Sequence, residues 1–222
     1  MKELVIVDID NTLIKGQSQK VLLRYLYNKK MVGVFYFSRI YLWFVLYKLG
    51  LVKNPRIVLE YAIRFLRGKR VLGIQKLIKE FAVHELPPLF FRGMLEIIEG
   101  HKRAGRKIVL VSNTIDALVK EIASMIGVDD FIALKLEIKD NVYTGKVSGS
   151  LVYGENKYNV ILYYLYTHKD ISLSNSWAYA DHTTDEKLLS AVEHPYAINP
   201  DSGLEKKAAA KKWPILKFNL LQ

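Results

Sequence analysis

Near the N-terminus, Leu4 to Asp8 (L-V-I-V-D) is a short, unbroken apolar run that ends in an acid. A run of that length with no polar alternation reads as a strand buried on both faces. Such a strand needs sheet neighbours on either side and a helical layer above and below. The rest of the chain supplies both. From about Gln17 to His84 the apolar period becomes helical, interrupted by Gly33, Gly50, Asn54-Pro55 and Gly68, which predicts about four helices and no confident strand. Pro87-Pro88 punctuates that stretch, and a further helix is expected over Leu89–Lys102. Lys107–Val111 (K-I-V-L-V) is a second buried strand, with Ser112-Asn113-Thr114 as the natural cap of a helix over Ile115–Ile126.

Ala133 to Val147 alternates apolar and polar residues around Asp140-Asn141 and predicts a β-hairpin. Asn156–Tyr166 should be a helix, Trp177–Asp181 a strand, Asp185–Val192 a helix, Tyr196–Ile198 a short strand and Gly203–Lys211 a last helix. The predicted class is therefore α/β: an open parallel, Rossmann-like sheet core with a helical cap domain inserted after the first strand and a small β-hairpin. Residues 1–15 and 87–222 would form the core and 16–86 the cap.

The chain has no cysteine, which excludes disulfides, thiolate nucleophiles, thiolate zinc sites and iron–sulfur clusters. M-K-E-L-V-I-V-D lacks the pattern of a signal peptide, so a cytoplasmic location is expected. The net charge of +11 is unevenly placed. Residues 16–100 carry fifteen lysines and arginines against five acids, and no acid separates Asp10 from Glu60. That segment could attract nucleic acid, anionic lipid or a phosphorylated substrate, or simply be a solvated basic surface.

In an open parallel sheet, ligands bind beyond the carboxyl ends of the strands. Asp8, Asp10 and Thr12 (D-I-D-N-T) follow the first predicted strand, and Ser112 follows the second. Lys157 (G-E-N-K) opens a later helix, and Asp181 and Asp185 (A-D-H-T-T-D) follow the strand from Trp177. Several carboxylates, a hydroxyl and an ammonium thus converge on one sheet edge. Close carboxylates repel unless a cation joins them, and an all-oxygen set suggests magnesium. A hydroxyl and a lysine could then neutralise phosphate oxygens. Taken singly, each residue has a plainer reading: Ser112 as a helix cap, Lys157 as a solvated helix lysine, Asp181 and Asp185 as strand and helix ends.

Together, D-I-D-N-T-L, V-L-V-S, G-E-N-K and A-D-H-T-T-D resemble the four motifs of the haloacid dehalogenase-like hydrolases, in the phosphoserine phosphatase-like branch with a helical cap. The flanking H-K-R-A-G-R-K, Y-T-G-K-V-S-G and A-I-N-P-D agree. The resemblance implies a magnesium-dependent phosphatase. Asp8 would be the nucleophile and Asp10 the general acid and base. The carboxylates of Asp8 and Asp181 and the main-chain carbonyl of Asp10 would hold Mg2+. Ser112, Asn113 and Lys157 would bind the phosphoryl group, Asp185 would support the metal-bound water or Lys157, and Thr12 would brace the first loop. His182 stands where the branch usually has serine, and a loop position near the cleft mouth is expected. True phosphoserine phosphatases place a glutamate shortly after the first motif; here that stretch holds Lys15 and no acid, which argues against phosphoserine. A receiver domain uses similar groups in a different order and has no large insert.

The cap stretch Met31–Tyr47 is apolar and aromatic, with Arg39 in its middle. A spanning helix needs about 20 mainly apolar residues, and a central arginine costs about 3 kcal/mol on insertion scales. The remaining readings are a buried cap helix, a lid face meeting lipid or an apolar phosphate ester, and a dimer surface; oligomeric state stays open. Peripheral contact with an anionic membrane suits the mixture of aromatics and bases, and nucleic acid ranks last because no recognition motif accompanies them. The expected partner is a phosphorylated small-molecule or lipid-linked substrate. The alternatives to a phosphatase are a phosphotransferase of the same fold and a non-enzymatic membrane-surface or anion-binding module.

Overall fold

In the computed structural model, which describes residues 2–49, 51, 54–128 and 130–219, seven strands form one sheet in the order β4-β3-β2-β1-β5-β6-β7. The central strand β1 (Lys2–Val7) pairs in parallel with β2 (Lys107–Ile115) on one side and β5 (Ile171–Ala180) on the other. β3 (Asp130–Lys139) continues the sheet beyond β2 in parallel, and β4 (Val142–Ser148) returns antiparallel to it. Beyond β5 lie β6 (His194–Ile198) and the two-residue β7 (Ile215–Leu216), both parallel. The direction of winding reverses at β1, which places a ligand crevice at its carboxyl end.

The alternation of β1 explains why it sits in the centre. Val5 and Val7 face a core shared with the helices before β3, while Leu4 and Ile6 face a core shared with the helices after β4. The first layer contains α1 (Ser18–Asn28), α4 (Val71–Glu85), α5 (Arg92–Arg103) and α6 (Asp116–Met125). The second contains α7 (Glu155–Thr167), α8 (Glu186–Leu189) and α9 (Ser202–Lys211). Between α1 and α4 run α2 (Val34–Lys48) and α3 (Pro55–Ile63), whose Asn54 side chain caps α3 by accepting from the Arg56 amide. The break expected at Gly50 lies outside the described residues, as do the side chains of Phe44, Tyr47 and Lys48.

The expected hairpin turn is present: Asp140 and Asn141 both take left-handed backbone (φ 49° and 64°), the geometry that matches the twist of paired strands. The helical insert is tied to this hairpin. The Gly68 amide donates to Tyr143 O at 2.8 Å, the Tyr143 amide to Lys69 O at 3.0 Å, and the Val71 amide to Asn141 O at 3.1 Å.

Several local expectations differ from the structure. Ser112-Asn113-Thr114 does not cap a helix; β2 continues through it to Ile115, because β3 keeps pairing as far as Ile115–Leu134 across a register shift. The helix expected from Leu89 starts at Arg92. Pro87–Leu89 is a 3-10 turn, and Leu13–Lys15 holds Phe90 and Phe91 extended, with the Lys15 amide on Leu89 O (2.8 Å) and the Phe91 amide on Leu13 O (3.0 Å). The helix expected over Asp185–Val192 is a 3-10 turn, Thr183–Asp185, followed by the single turn of α8. β7 was not expected; a two-residue strand offers too little pattern to detect.

Against β5, His101 is buried beside Trp177 and Tyr179. Its Nε2 pairs with Tyr179 Oη at 2.8 Å and its Nδ1 faces Arg106 Nη1 at 3.3 Å, an arrangement that suits the neutral ring. Burial, and then the Arg106 guanidinium, push its pKa down to about 4. The folded value lies below the unfolded value of about 6.5. The stabilising effect of a neutral His101 is therefore complete above pH 6.5 and lost as pH falls toward 4. A His101→Gln variant should lose less of its urea midpoint between pH 7 and pH 4.5 than the parent; equal losses would refute this origin.

Candidate active site

The first loop leaves β1 at Asp8, which is buried, and its amide donates to Tyr179 O on β5 at 3.0 Å. The Asp8 carboxylate is held from two sides. Oδ1 accepts from Lys157 Nζ at 2.6 Å and Oδ2 from Thr12 Oγ1 at 3.2 Å. Lys157, buried in the first turn of α7, also donates to Asp185 Oδ2 at 2.8 Å. It is thus no solvated helix lysine but a cation between two acids. Burial alone would lower its pKa, yet the charges of Asp8 and Asp185 hold it above the ordinary lysine value.

Asp181, just past the end of β5, completes the acidic centre. Carboxylate oxygens of Asp8, Asp181 and Asp185 all lie within 4.8 Å of one another. Burial, and next the Asp8 charge, push Asp181 up to about 8. Asp185 is raised too, chiefly by burial, against the pull of Lys157. One ammonium among three carboxylates leaves a deficit of positive charge. Asp185 Oδ1, moreover, is fully buried without a hydrogen-bond partner. A hard cation with its water shell would answer both, and an all-oxygen donor set of this kind fits magnesium.

Asp10 belongs to a separate arrangement. Its Oδ1 accepts from the Ser18 amide at 2.7 Å and its Oδ2 from Thr114 Oγ1 at 3.3 Å, with Ser18 Oγ 2.9 Å from Thr114 Oγ1. Its carboxyl is therefore not among the three clustered acids. Burial raises its pKa, the Ser18 amide lowers it, and the Asp8 charge raises it again, leaving it above the ordinary aspartate value.

Ser112 is buried, with Oγ accepting from the Thr114 amide at 3.1 Å. The Asn113 side chain accepts from the Val152 amide at 3.1 Å, while its main-chain oxygen accepts from Gln19 Nε2 at 2.8 Å. It braces β2 against α1 and the segment after β4. His182 Nδ1 accepts from the Thr184 amide at 3.2 Å, and its Nε2 lies 3.3 Å from Asp201 Oδ2. His182 lines a cavity of about 440 Å3 with Asn11, Lys15 and Asp181 among others. The sequence reading missed Ser18, Thr114, Asn11 and Asn199. Asn11 lies in D-I-D-N-T-L, Thr114 in the expected cap Ser112-Asn113-Thr114 and Asn199 in A-I-N-P-D, but nothing in those strings says where their side chains go.

Asp8 after β1, Asp181 after β5 and Asp185 in the following turn thus gather with Lys157 at the start of α7, around one buried ammonium. A family model described as haloacid dehalogenase-like hydrolase matches residues 5–190. The chain belongs to that family. A probable phosphatase of Mycobacterium tuberculosis (strain ATCC 25618 / H37Rv) is 34% identical over 152 residues, covering 68% of this chain and 52% of its own length. The chain therefore matches about half the length of that relative. A crystal structure of a Bordetella pertussis Tohama I protein of unknown function superimposes with a TM-score of 0.89 at 25% identity, covering 100% of both chains. A phosphoserine phosphatase carrying a phospho-aspartyl intermediate analogue gives a TM-score of 0.64 at 21% identity, covering 96% and 92%, and shares the fold.

The raised Asp181 pKa has a direct consequence. Unfolded, an aspartate ionises near pH 4, whereas folded Asp181 does so only near 8. In metal-free buffer its contribution to stability is therefore fully present below pH 4 and lost as pH rises through 8. Asp181→Asn should raise the metal-free melting temperature relative to the parent, by a margin that grows from pH 5 to pH 8. The parent alone should gain stability on adding magnesium. A variant equally stabilised by magnesium would remove Asp181 from the cation site.

Proposed function

We propose that the chain is a magnesium-dependent phosphomonoesterase working through an aspartyl-phosphate, with residues 16–86 as the cap over the site. The observation that carries this reading is the separation of the two acids of the first loop. Asp8 lies beside Lys157 and the acidic cluster, whereas Asp10 is turned to Ser18 and Thr114 with its pKa raised. One acid is thus suited to attack and the other to carry a proton.

The Asp8 carboxylate attacks phosphorus, forming an acyl-phosphate bond as the ester P–O bond breaks, and the departing alkoxide takes the proton of Asp10. Asp10, now ionised, accepts a proton from water; the hydroxide attacks phosphorus, the Asp8–phosphorus bond breaks, and inorganic phosphate leaves. Ser112, Asn113 and Lys157 bind phosphoryl oxygens, and Thr12 keeps the Asp8 carboxylate oriented. The carboxylates of Asp8 and Asp181 and the Asp10 carbonyl would hold Mg2+, with Asp185 supporting its water shell and Lys157. When bound, the ion supplies neutralising charge for the phosphate.

The substrate follows from charge. Of the three cap acids, Glu60 is engaged by Arg56 and the Val147 amide, Glu80 by Lys29, and Glu85 is exposed at the last residue of α4. With Lys15 exposed beside the first loop, an ammonium-bearing substrate such as phosphoserine lacks an anchor, and esters with apolar or additional anionic groups are favoured.

On α2, Val34, Phe35, Tyr41 and Leu42 are exposed, Phe35 at 83%, with Arg39 over the Tyr61 ring. That face supports peripheral contact with anionic lipid. Among the described residues no helix is long and apolar enough to cross a membrane.

With a panel of phosphate monoesters, the chain should release phosphate only with magnesium, and excess calcium should inhibit. Asp8→Asn should lose activity by about a thousandfold or more. Asp10→Asn should lose about a hundredfold or more with alkyl esters and far less with nitrophenyl phosphate. Full activity of a folded Asp8→Asn protein would refute the covalent route, and phosphate transfer to an added alcohol in preference to water would favour a phosphotransferase. Phosphoserine should give a lower kcat/KM than apolar esters; the reverse order would overturn the substrate assignment. At low salt the chain should co-sediment with anionic vesicles and not with neutral ones, and Phe35→Ser should weaken this. Absence of vesicle binding would remove lipid from its partners.

A further inference from the structure

Two residues beside the acidic centre hold left-handed backbone without being glycine: Asn11 at φ 58° and Asn199 at φ 41°. Asparagine enters this region more readily than most residues, but two in direct contact point to a constraint from their surroundings. Asn199 Nδ2 donates to the main-chain oxygen of Asn11 at 3.3 Å. Asn11 Nδ2 in turn donates to Asp181 Oδ2 at 3.2 Å, while its Oδ1 accepts from the Gly16 amide at 3.0 Å. The Asn11 amide closes the loop on Gly16 O at 3.1 Å.

On its other side, Asn199 Oδ1 accepts from the Phe218 amide at 2.7 Å, and the Asn199 amide donates to Leu216 O at 2.9 Å. The orientation of both side-chain amides is determined by these partners. Exchanging oxygen and nitrogen would set N–H against N–H and oxygen against oxygen in each case. The same segment holds the main chain of Asp181, since the Asp201 amide donates to Asp181 O at 2.8 Å. The tail is seated in turn by Phe218, whose ring fills the space a side chain at Gly93 would need and packs against Phe91.

The electrostatics say what this achieves. Asp8 and Asp185 share Lys157, whereas Asp181 accepts from the neutral Asn11 amide and is repelled by Asp8. A neutral donor can hold that carboxylate in the cluster while leaving its charge for a cation. We propose that Asn199 is a positioning residue. It ties the C-terminal strand β7 to the first loop and, through Asn11, sets the Asp181 carboxylate in the orientation that binds magnesium. This rests on the metal reading above. It assigns a function in the cation site to residues about 190 positions after the nucleophile, on a strand edge that carries no acid of the site.

The test is calorimetric titration of magnesium into the metal-free full chain, which needs no turnover. Asn199→Gly accepts the left-handed backbone but removes both side-chain hydrogen bonds. Asn199→Asp keeps the acceptor for Phe218 and removes only the donor to Asn11, and its added charge would by itself attract a cation. Both should bind magnesium about tenfold or more weakly than the parent, the scale typical of residues that orient metal ligands. Asn11→Gly should do the same, and the Asn11→Gly/Asn199→Gly pair should be no weaker than Asn11→Gly alone, because both act through one chain of bonds. Parent-like affinity in Asn199→Gly, or in Asn11→Gly should the Asn199 variant not fold, would show that the chain of asparagine bonds does not set Asp181 and would overturn the proposal. Additive losses would overturn it as well. A parent chain that binds no magnesium would instead refute the metal reading, and with it this inference.

Discussion

Lys157 is the group on which the site depends. Its ammonium lies within 2.8 Å of carboxylate oxygens on both Asp8 and Asp185, out of contact with bulk water. Burying the Asp8 and Asp185 carboxylates without it would cost several kcal/mol for each unpaired charge. With it, the cluster still has more acids than bases, an arrangement that suits a cation. The same residue therefore makes the folded acidic centre possible and leaves it receptive. The cost of an excess of negative charge falls on Asp181, whose pKa is raised.

The sheet makes that concentration of charge geometrically possible. Because winding reverses at β1, the loops after β1, β2 and β5 and the start of α7 point to one crevice, although they are up to about 180 residues apart in the chain. Asp10 is separated from the cluster by a smaller device. Two residues after Asp8 the chain has left the strand, and Ser18 at the start of α1 and Thr114 at the end of β2 turn its carboxyl aside. Two acids of one motif thereby acquire different surroundings, and burial raises the pKa of Asp10. The insert that supplies Ser18 shares its core with α5 and α6 and is bonded to the β3–β4 hairpin, so the position of Ser18 is tied to the sheet.

Much of this was legible in the sequence, and for identifiable reasons. Buried parallel strands leave short unbroken apolar runs, and L-V-I-V and K-I-V-L-V were enough to locate β1 and most of β2. Asp140-Asn141 marked the hairpin because few residues other than glycine accept left-handed backbone in a two-residue turn. Two of the local differences share one cause. Ser112-Asn113-Thr114 has the composition of a helix cap, and residues 89–91 have that of a helix start. In both places pairing with a distant segment, β3 in one case and Leu13–Lys15 in the other, outweighed local preference.

The sequence by itself determined the fold class, the family motifs and the identity of Asp8, Asp10, Ser112, Lys157, Asp181 and Asp185 as the chemical groups of interest, since residue type and position at a strand end are local properties. Only the tertiary structure decided which acids share the lysine, which one is turned away, and that Asn11 reaches Asp181 while Asn199 reaches Asn11. Those facts depend on contacts between residues 8 to 188 positions apart, and on burial, which raises the Asp10 and Asp181 pKa values. A linear pattern can place an acid at the end of a strand. The dielectric and the hydrogen-bond partners that decide its role are properties of the packed molecule.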